Sequence, residues 1–461
     1  MKKKKILLLS DDLRVHSGIG TMSREIVLNT VKEFDWIQLA AAIQHPETGK
    51  MFDLSEEVAK VTGVKDANVK LIPFDGYGNQ DVVRELIAVE RPDAILHFTD
   101  PRFWGWLYQM EHEIRQEIPL FYYTIWDDNP APRWNRPFYE SCDLLMCISK
   151  QTKALVTDVL KDSNYQPWQI TYVPHGIPHD IFFPLNEQHE QWNEFQEFKK
   201  RMLGEKEYDF IMFYNARNIR RKHTPDLMLG FEEFVSSLPK EKQDKCLMLL
   251  HTEPVDENGT DLVAVAEECC KTSKVQFTNI KPISTKELNF LYNMSDITAN
   301  IASNEGFGLG TAESVMAGTP IIVNVTGGMQ DQCGFKNESG EYLTEDDYTP
   351  AWPTNANGTY TEHGEWVKPI FPKARTLQGS PMTPYIFDDI ADYHEAASAI
   401  KYWYEKTDSE RTEAGQKGRD WMLSVQTGMS AKEMGNRFIK DMNVAFDNWT
   451  PRSRYELVTV K

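Results

Sequence analysis

The stretch Ser303-Asn304-Glu305-Gly306-Phe307-Gly308-Leu309-Gly310-Thr311-Ala312-Glu313 follows an apolar run at 297–301 and leads into a helical pattern over 311–317. A strand candidate, a turn with three glycines and a helix start succeed one another here, as in the units of an open parallel sheet. Glycines let the backbone come close to a ligand, and the free N–H groups of a helix start can hold phosphate oxygens. A diphosphate suits this turn. Glu305, before the turn, and Glu313, read here as lying in the first helical turn, would oppose that anion if they faced it. Acceptance of hydrogen bonds from sugar hydroxyls fits them better, with a favourable helix-dipole interaction as the plain alternative for Glu313.

Moving outward, a diphosphate needs cations, and Asn215-Ala216-Arg217-Asn218-Ile219-Arg220-Arg221-Lys222-His223 supplies them after a strand candidate at 210–215. Arg217 and Lys222 are the candidates for stabilising a departing diphosphate, against the alternative of a solvated basic loop.

The same alternation fills the rest of the chain. Strand candidates lie at 6–9, 36–43, 69–73, 94–98, 120–125 and 144–148, with helical patterns at 20–33 and 80–90. After a Pro-rich connector, Val173-Pro174-His175-Gly176-Ile177-Pro178, and a polar helical stretch at 186–207, strands resume at 210–215, 245–252, 275–278, 297–301 and 320–323. Helical patterns at 224–238, 285–294 and 311–317 separate them. The expected fold is α/β, with two Rossmann-like domains facing each other across a cleft: 1–178, then 179–425, with 426–461 as a helix returning to the first domain. Residues 331–384 interrupt the rhythm with six prolines, Trp352 and Trp366, and show little periodicity. They read either as a lid or binding loop or as a packed insertion.

Composition narrows the function classes. A chain of 461 residues, 41% hydrophobic and 26% charged, has ample core for two domains. A formal charge of −19 disfavours a surface devoted to polyanions. Lys2 to Lys5 precede an apolar run that stops at Ser10-Asp11-Asp12, which reads as a first buried strand rather than a secretory signal. No apolar stretch reaches the roughly 20 residues of a membrane span, so any membrane contact is expected to be peripheral and the location cytoplasmic. The six cysteines lack C-x-x-C spacing and read as reduced thiols. The acidic pairs Asp11-Asp12, Asp127-Asp128, Asp346-Asp347 and Asp388-Asp389 read as caps or solvated turns rather than metal ligands.

Together these residues resemble the family 4 retaining glycosyltransferases of the GT-B fold. Glu305 and Glu313 at E-x(7)-E spacing, Gly306-Phe307-Gly308 between them, Arg217 with Lys222, Gly327-Gly328 and the Pro174-His175-Gly176-Ile177 connector with Phe182 and Pro184 carry the likeness. Asp143 with Ile148-Ser149, and Ser17-Gly18-Ile19-Gly20 as a phosphate-facing loop, extend it over nearly the whole chain apart from the insertion. The resemblance implies a nucleoside-diphosphate-sugar donor, no other cofactor and no metal. By the same resemblance, Glu313 would bind the ribose, Glu305 the donor sugar, and Arg217 and Lys222 the diphosphate. Gly18, Gly20 and the segment of Phe307, Gly308, Leu309 and Thr311 would cradle it, with 279–283, including Lys281 and Pro282, near the base. Many family members carry a histidine where this chain reads Trp126-Asp127-Asp128. Asp127 then takes the polar catalytic role, with Trp126, His97 and Asp100 as acceptor-side candidates. The acceptor expected is a carbohydrate or glycolipid-type hydroxyl. Alternatives are a hydroxylated DNA base, stacked by the insertion's tryptophans beside Lys368, Lys373 and Arg375, and a nucleotide-sugar-binding protein without catalysis.

Overall fold

The computed structural model describes residues 2–280 and 282–453, which form two compact units. Within these bounds the first comprises residues 2–176, 349–351 and 431–453. Its sheet contains β1 (Lys4–Asp11), β2 (Phe34–Ile43), β3 (Phe52–Asp53), β4 (Val69–Asp75), β5 (Ala94–Phe98), β6 (Leu120–Thr124), β7 (Leu144–Cys147) and β8 (Ile170–Tyr172). The order is β3-β4-β2-β1-β5-β6-β7-β8, parallel throughout except for β3, which runs antiparallel to β4. Helices cover both faces of such a sheet, so β5, β6 and β7 are buried at every position and read as unbroken apolar runs. The helix Ala431–Asn448 packs on Gly18–Thr30, where Gly435 allows close approach: a Cβ there would stand 2.7 Å from Asn29 Cβ. Asp143, just before β7, ties the central strands together. Its buried carboxylate accepts from Leu120 N–H at 3.0 Å and from the Arg115 guanidinium at 2.7 Å.

The second unit spans residues 177–348 and 352–430. Its strands are β9 (Phe210–Asn215), β10 (Cys246–His251), β11 (Lys274–Phe277), β12 (Ile297–Asn300), β13 (Ile321–Asn324) and β14 (Val367–Ile370), all parallel in the order β11-β10-β9-β12-β13-β14. The sequence order reverses about β9, so β9 and β12 are neighbours whose carboxyl ends open on the crevice where such sheets bind ligands.

Three sequence readings are sharpened or corrected. The segment 331–384, which shows little periodicity, supplies β14 and most of a hairpin, β15 (Ala374–Ser380) with β16 (Thr383–Ile390). Pro369 hid β14, because proline lacks the N–H that a central strand needs. Here it lies on the edge strand, in register with Val323. The rest of the segment is anchored by buried Phe335, Leu343, Tyr348 and Trp366. Second, the helix after the Gly-rich turn begins at Leu309, which puts Glu313 in its second turn. Third, Asp388-Asp389 is no solvated turn. Asp389 is buried in β16, accepts from Arg375 at 2.7 Å and from Thr326 Oγ1 at 3.0 Å, and Asp388 accepts from Asn304 at 2.7 Å. Among the described residues no helix is long and apolar enough to cross a membrane.

Candidate functional site

At the carboxyl end of β9 the chain passes into a tight 3-10 turn, Arg220–Lys222. His223, at φ 51°, then turns it into the helix Thr224–Ser236. This turn directs Arg221 and Lys222 together onto Glu305. The Lys222 ammonium is buried and hydrogen-bonded to Glu305 Oε2. Arg221 donates to the same oxygen at 2.7 Å and to Asn304 O at 2.5 Å. Burial alone would raise the Glu305 carboxyl and is the largest single influence. The Lys222 and Arg221 charges and their hydrogen bonds together outweigh it and hold the group down to about 2. Glu305 is therefore a carboxylate at any physiological pH.

The loop carrying Glu305 is braced from behind by glycines. A Cβ on Gly327 would stand 2.0 Å from Glu305 O, and one on Gly328 2.2 Å from Gly306 O. Gly328 N–H donates to Glu305 O at 2.8 Å. The Gln332 amide donates to Phe307 O at 2.6 Å and to Gly308 O at 3.0 Å. Any side chain at 328 must displace backbone, so Gly328→Ala is expected to cost about 1–3 kcal/mol of local order. Donor affinity in a binding titration should fall roughly tenfold or more.

Gly308, at φ 88°, opens the helix Leu309–Met316, and no side chain caps it. Its first N–H groups form the kind of electropositive end that receives phosphate oxygens. Gly310 lets this end sit against β9, since a Cβ there would meet Asn215 O at 2.6 Å. Thr311 Oγ1 turns back to Gly308 O at 3.0 Å, and Phe307 is buried. Glu313 is held by a chain of two hydrogen bonds, in which Asn215 donates to Tyr292 Oη at 2.8 Å and Tyr292 donates to Glu313 Oε2 at 2.7 Å. Burial pushes the Glu313 carboxyl up to about 7, opposed by the Tyr292 hydrogen bond.

Arg217 stands apart from the Glu305 pair. It is mostly exposed and donates to Asp256 at 2.8 Å. Pro282 lies between β11 and the helix Thr285–Asn293, while Lys281 falls outside the described residues. Arg221, Asn215, Tyr292, Gln332 and the Asp388-Asp389 rung are the participants sequence reasoning missed. Arg221 and Asn215 stood in the quoted basic run. Tyr292 carried only the signal of a core position on an amphipathic helix.

In the first unit, Ser17 caps the helix Gly18–Thr30 by accepting from Gly20 N–H at 3.0 Å, and Gly20 has no room for a Cβ, which would meet Asp12 O at 2.7 Å. Burial lifts the neighbouring Asp11 carboxyl to about 6, against the lowering effect of its Ser17 hydrogen bond. His97 is fully buried, 2.6 Å from Tyr108 Oη and stacked on Tyr122, and burial holds its pKa down at about 3. It is a neutral core imidazole in this structure. Asp100 receives the Arg102 guanidinium and caps the following turn. Trp126 packs on the core of the first unit, and its indole N–H donates to Asp128 O at 2.6 Å, placing it beside Asp127.

The insertion's cations are individually engaged. Lys373 pairs with Glu395 at 3.0 Å, Arg375 pairs with Asp389 at 2.7 Å, and Lys368 lies 5.0 Å over the Tyr402 ring. Trp366 is buried rather than available to stack on a base.

Two Rossmann-like units define this chain as a protein of the GT-B fold. Among solved structures it is similar to HepE from Anabaena in complex with UDP and glucose, at TM-score 0.61 and 12% identity, covering 96% of this chain and 100% of that one. Sucrose-phosphate synthase from Thermosynechococcus elongatus is alike at TM-score 0.61 and 13% identity, covering 96% and 100%. The α,α-trehalose 6-phosphate synthase from Burkholderia multivorans matches at TM-score 0.61 and 12% identity, covering 96% and 99%. No protein-family model and no curated protein sequence matches the chain.

Proposed function

We propose that the chain is a retaining glycosyltransferase that moves a sugar from a nucleoside-diphosphate-sugar donor, a UDP-sugar first among them, to a carbohydrate or glycolipid-type hydroxyl in the cytoplasm. One observation carries the reading: a Lys222–Glu305–Arg221 cluster, with Lys222 buried, stands beside an uncapped helix start whose next turn bears Glu313. Similarity of fold to HepE, solved with UDP and glucose, supports the donor class.

In this reading the diphosphate lies on the N–H groups of Leu309 to Thr311 and faces Lys222. Arg217 exchanges Asp256 for phosphate. Glu305, fixed as a carboxylate by its two cations, accepts from donor-sugar hydroxyls, and Glu313 accepts from the ribose. The anomeric carbon–oxygen bond breaks as Lys222 and the helix start stabilise the charge gathering on the leaving phosphate. The acceptor oxygen bonds to that carbon from the same face, and its proton passes to the departing phosphate oxygen. Asp127, beside Trp126 in the first unit, serves the acceptor side.

A thermal-shift screen against UDP-, ADP- and GDP-sugars tests the donor, since a ligand that binds only the folded state raises the melting temperature. A donor raises it by several degrees; no shift with any nucleotide sugar overturns the reading. Glu313 adds a pH signature. Its carboxyl is raised to about 7 and must be ionised to accept two hydroxyls, so donor affinity should rise as pH increases through about 7. The linked effect on the free protein has the opposite sign. Because the folded-state pKa lies above the unfolded value, this group's contribution to stability is lost as pH rises from about 4.5 through 7. Isothermal titration between pH 6 and 8.5 reads the first effect directly.

A further inference from the structure

Glu313 is partly buried, and among the described residues no cation pairs with it. Its carboxylate accepts from the Tyr292 hydroxyl, and that hydroxyl takes a hydrogen bond from Asn215 on its other side. An amide N–H can only donate, so it occupies a phenol lone pair and leaves the phenol proton aimed at Glu313 Oε2. Tyr292 is itself fully buried between the rings of Phe182 and Phe213, and Thr319 Oγ1 donates to its carbonyl at 2.9 Å. Its ring cannot swing away without unpacking that core. Burial also raises the phenol well above its usual range, so it stays protonated and remains a donor.

Resting on the proposed donor site, we infer that Tyr292, polarised by Asn215, is the positioning residue that presents Glu313 as a fixed, ionised acceptor to the vicinal hydroxyls of the donor's ribose. One carboxylate oxygen is held by the phenol and the geometry of the other follows from it. The arrangement selects a ribonucleotide over its deoxy counterpart, because a desolvated carboxylate denied its hydroxyl partner is penalised.

Among the described residues no charged group does this work instead. On β9 the facing group is the neutral Asn215, and on the helix Thr285–Asn293 it is Tyr292 itself, with Lys286 and Glu287 bonded to Glu194 and to Arg201 and Ser284. The helix Asp408–Leu423, packed against Leu309–Met316, carries Arg419, which donates to Phe182 O at 2.7 Å and also to Met316 O, and Lys417, which pairs with Glu365 and Glu413. Arg221 and Lys222 are turned to Glu305, and Arg217 to Asp256. Burial and one hydrogen bond therefore set the Glu313 carboxyl.

The test is calorimetric titration of UDP-glucose and 2′-deoxy-UDP-glucose against pH, in the full chain and in Tyr292→Phe and Asn215→Asp. The bridged diphosphate of these probes is fully ionised and does not titrate near neutrality, so the midpoint reports on the protein. Tyr292→Phe removes a charge-assisted hydrogen bond and keeps the ring, and should move the midpoint of UDP-glucose binding up by about one to two pH units. At pH 7 that weakens binding by about 5- to 50-fold. Asn215→Asp offers the phenol proton a second acceptor and should shift the midpoint in the same direction. Preference for UDP-glucose over its deoxy analogue should shrink in both variants. A merely structural role would lower affinity without moving the midpoint, and an unmoved midpoint overturns the inference. If the native chain instead binds both probes equally, or binds neither, the placement of Glu313 at the ribose fails first and takes the inference with it.

Discussion

Lys222→Ala is expected to lower kcat for sugar transfer by about 10²–10³-fold, the usual effect of deleting one preorganised group that stabilises charge in a transition state. Lys222 is buried and held by Glu305, which is itself shared with Arg221, so its ammonium is preorganised before any donor arrives. Alanine removes that charge and leaves Glu305 with a single cation. Its carboxyl then rises from about 2 towards the range in which burial alone would place it. Breaking a buried pair by removing one partner costs about 3–5 kcal/mol when the other is stranded; here Arg221 remains, so the loss of stability should fall below that range. Arg221→Ala should damage turnover less, because Lys222 still reaches Glu305. Initial rates of nucleoside diphosphate release, read beside thermal melts, separate the two effects. Unchanged turnover in Lys222→Ala would remove this cluster from the reaction. The pH dependence of stability is a further check. Glu305 is depressed in the folded state, so its contribution is complete above about 4.5 and disappears as pH falls through about 2; Lys222→Ala should lose part of it.

Much of this site could be read from the sequence because it is built of consecutive residues. A strand ending at Asn215, a glycine turn after β12 and carboxylates at positions 305 and 313 are local features, and local spacing reports them. Partner choice is not local. The sequence nominated Arg217 beside Lys222, but the 3-10 turn Arg220–Lys222 turns Arg221 instead onto Glu305 and leaves Arg217 to Asp256. Tyr292 looks like any apolar position on an amphipathic helix until β9 places Asn215 against its hydroxyl. His97 shows the converse. A histidine at a strand end suggested acceptor chemistry, and the aromatic residues of neighbouring strands and helices turn it into a buried, neutral core group. The edge strand β14 escaped periodicity because four residues with a proline carry no alternation. Its position is fixed by pairing with β13 and by packing of Ile370 into the core.

Trp366→Ala should be the most destabilising single change in the segment 331–384. The indole is buried against glycines: a Cβ on Gly364 would lie 2.4 Å from it, and one on Gly418 2.6 Å. Trp421 stacks beside it at 4.8 Å. Truncating a buried tryptophan costs about 3–5 kcal/mol, and glycine backbone has no side chains with which to refill the cavity. For a unit of this size, that is a fall of roughly 6–20 °C in melting temperature. The consequence reaches the donor loop. Trp366 N–H donates to Gln332 O at 3.0 Å, and the Gln332 amide holds Phe307 O and Gly308 O at the helix start. Trp366→Phe keeps most of the packing but deletes that N–H, leaving a buried carbonyl unpaired at about 1–3 kcal/mol. Trp366→Phe should therefore melt only a few degrees lower than the native chain, yet show a measurably raised donor KM, because the loop that cradles the diphosphate has lost its support. Equal melting and equal KM in Trp366→Phe would mean that Gln332 is held by packing alone, and the insertion would then serve stability without shaping the donor site.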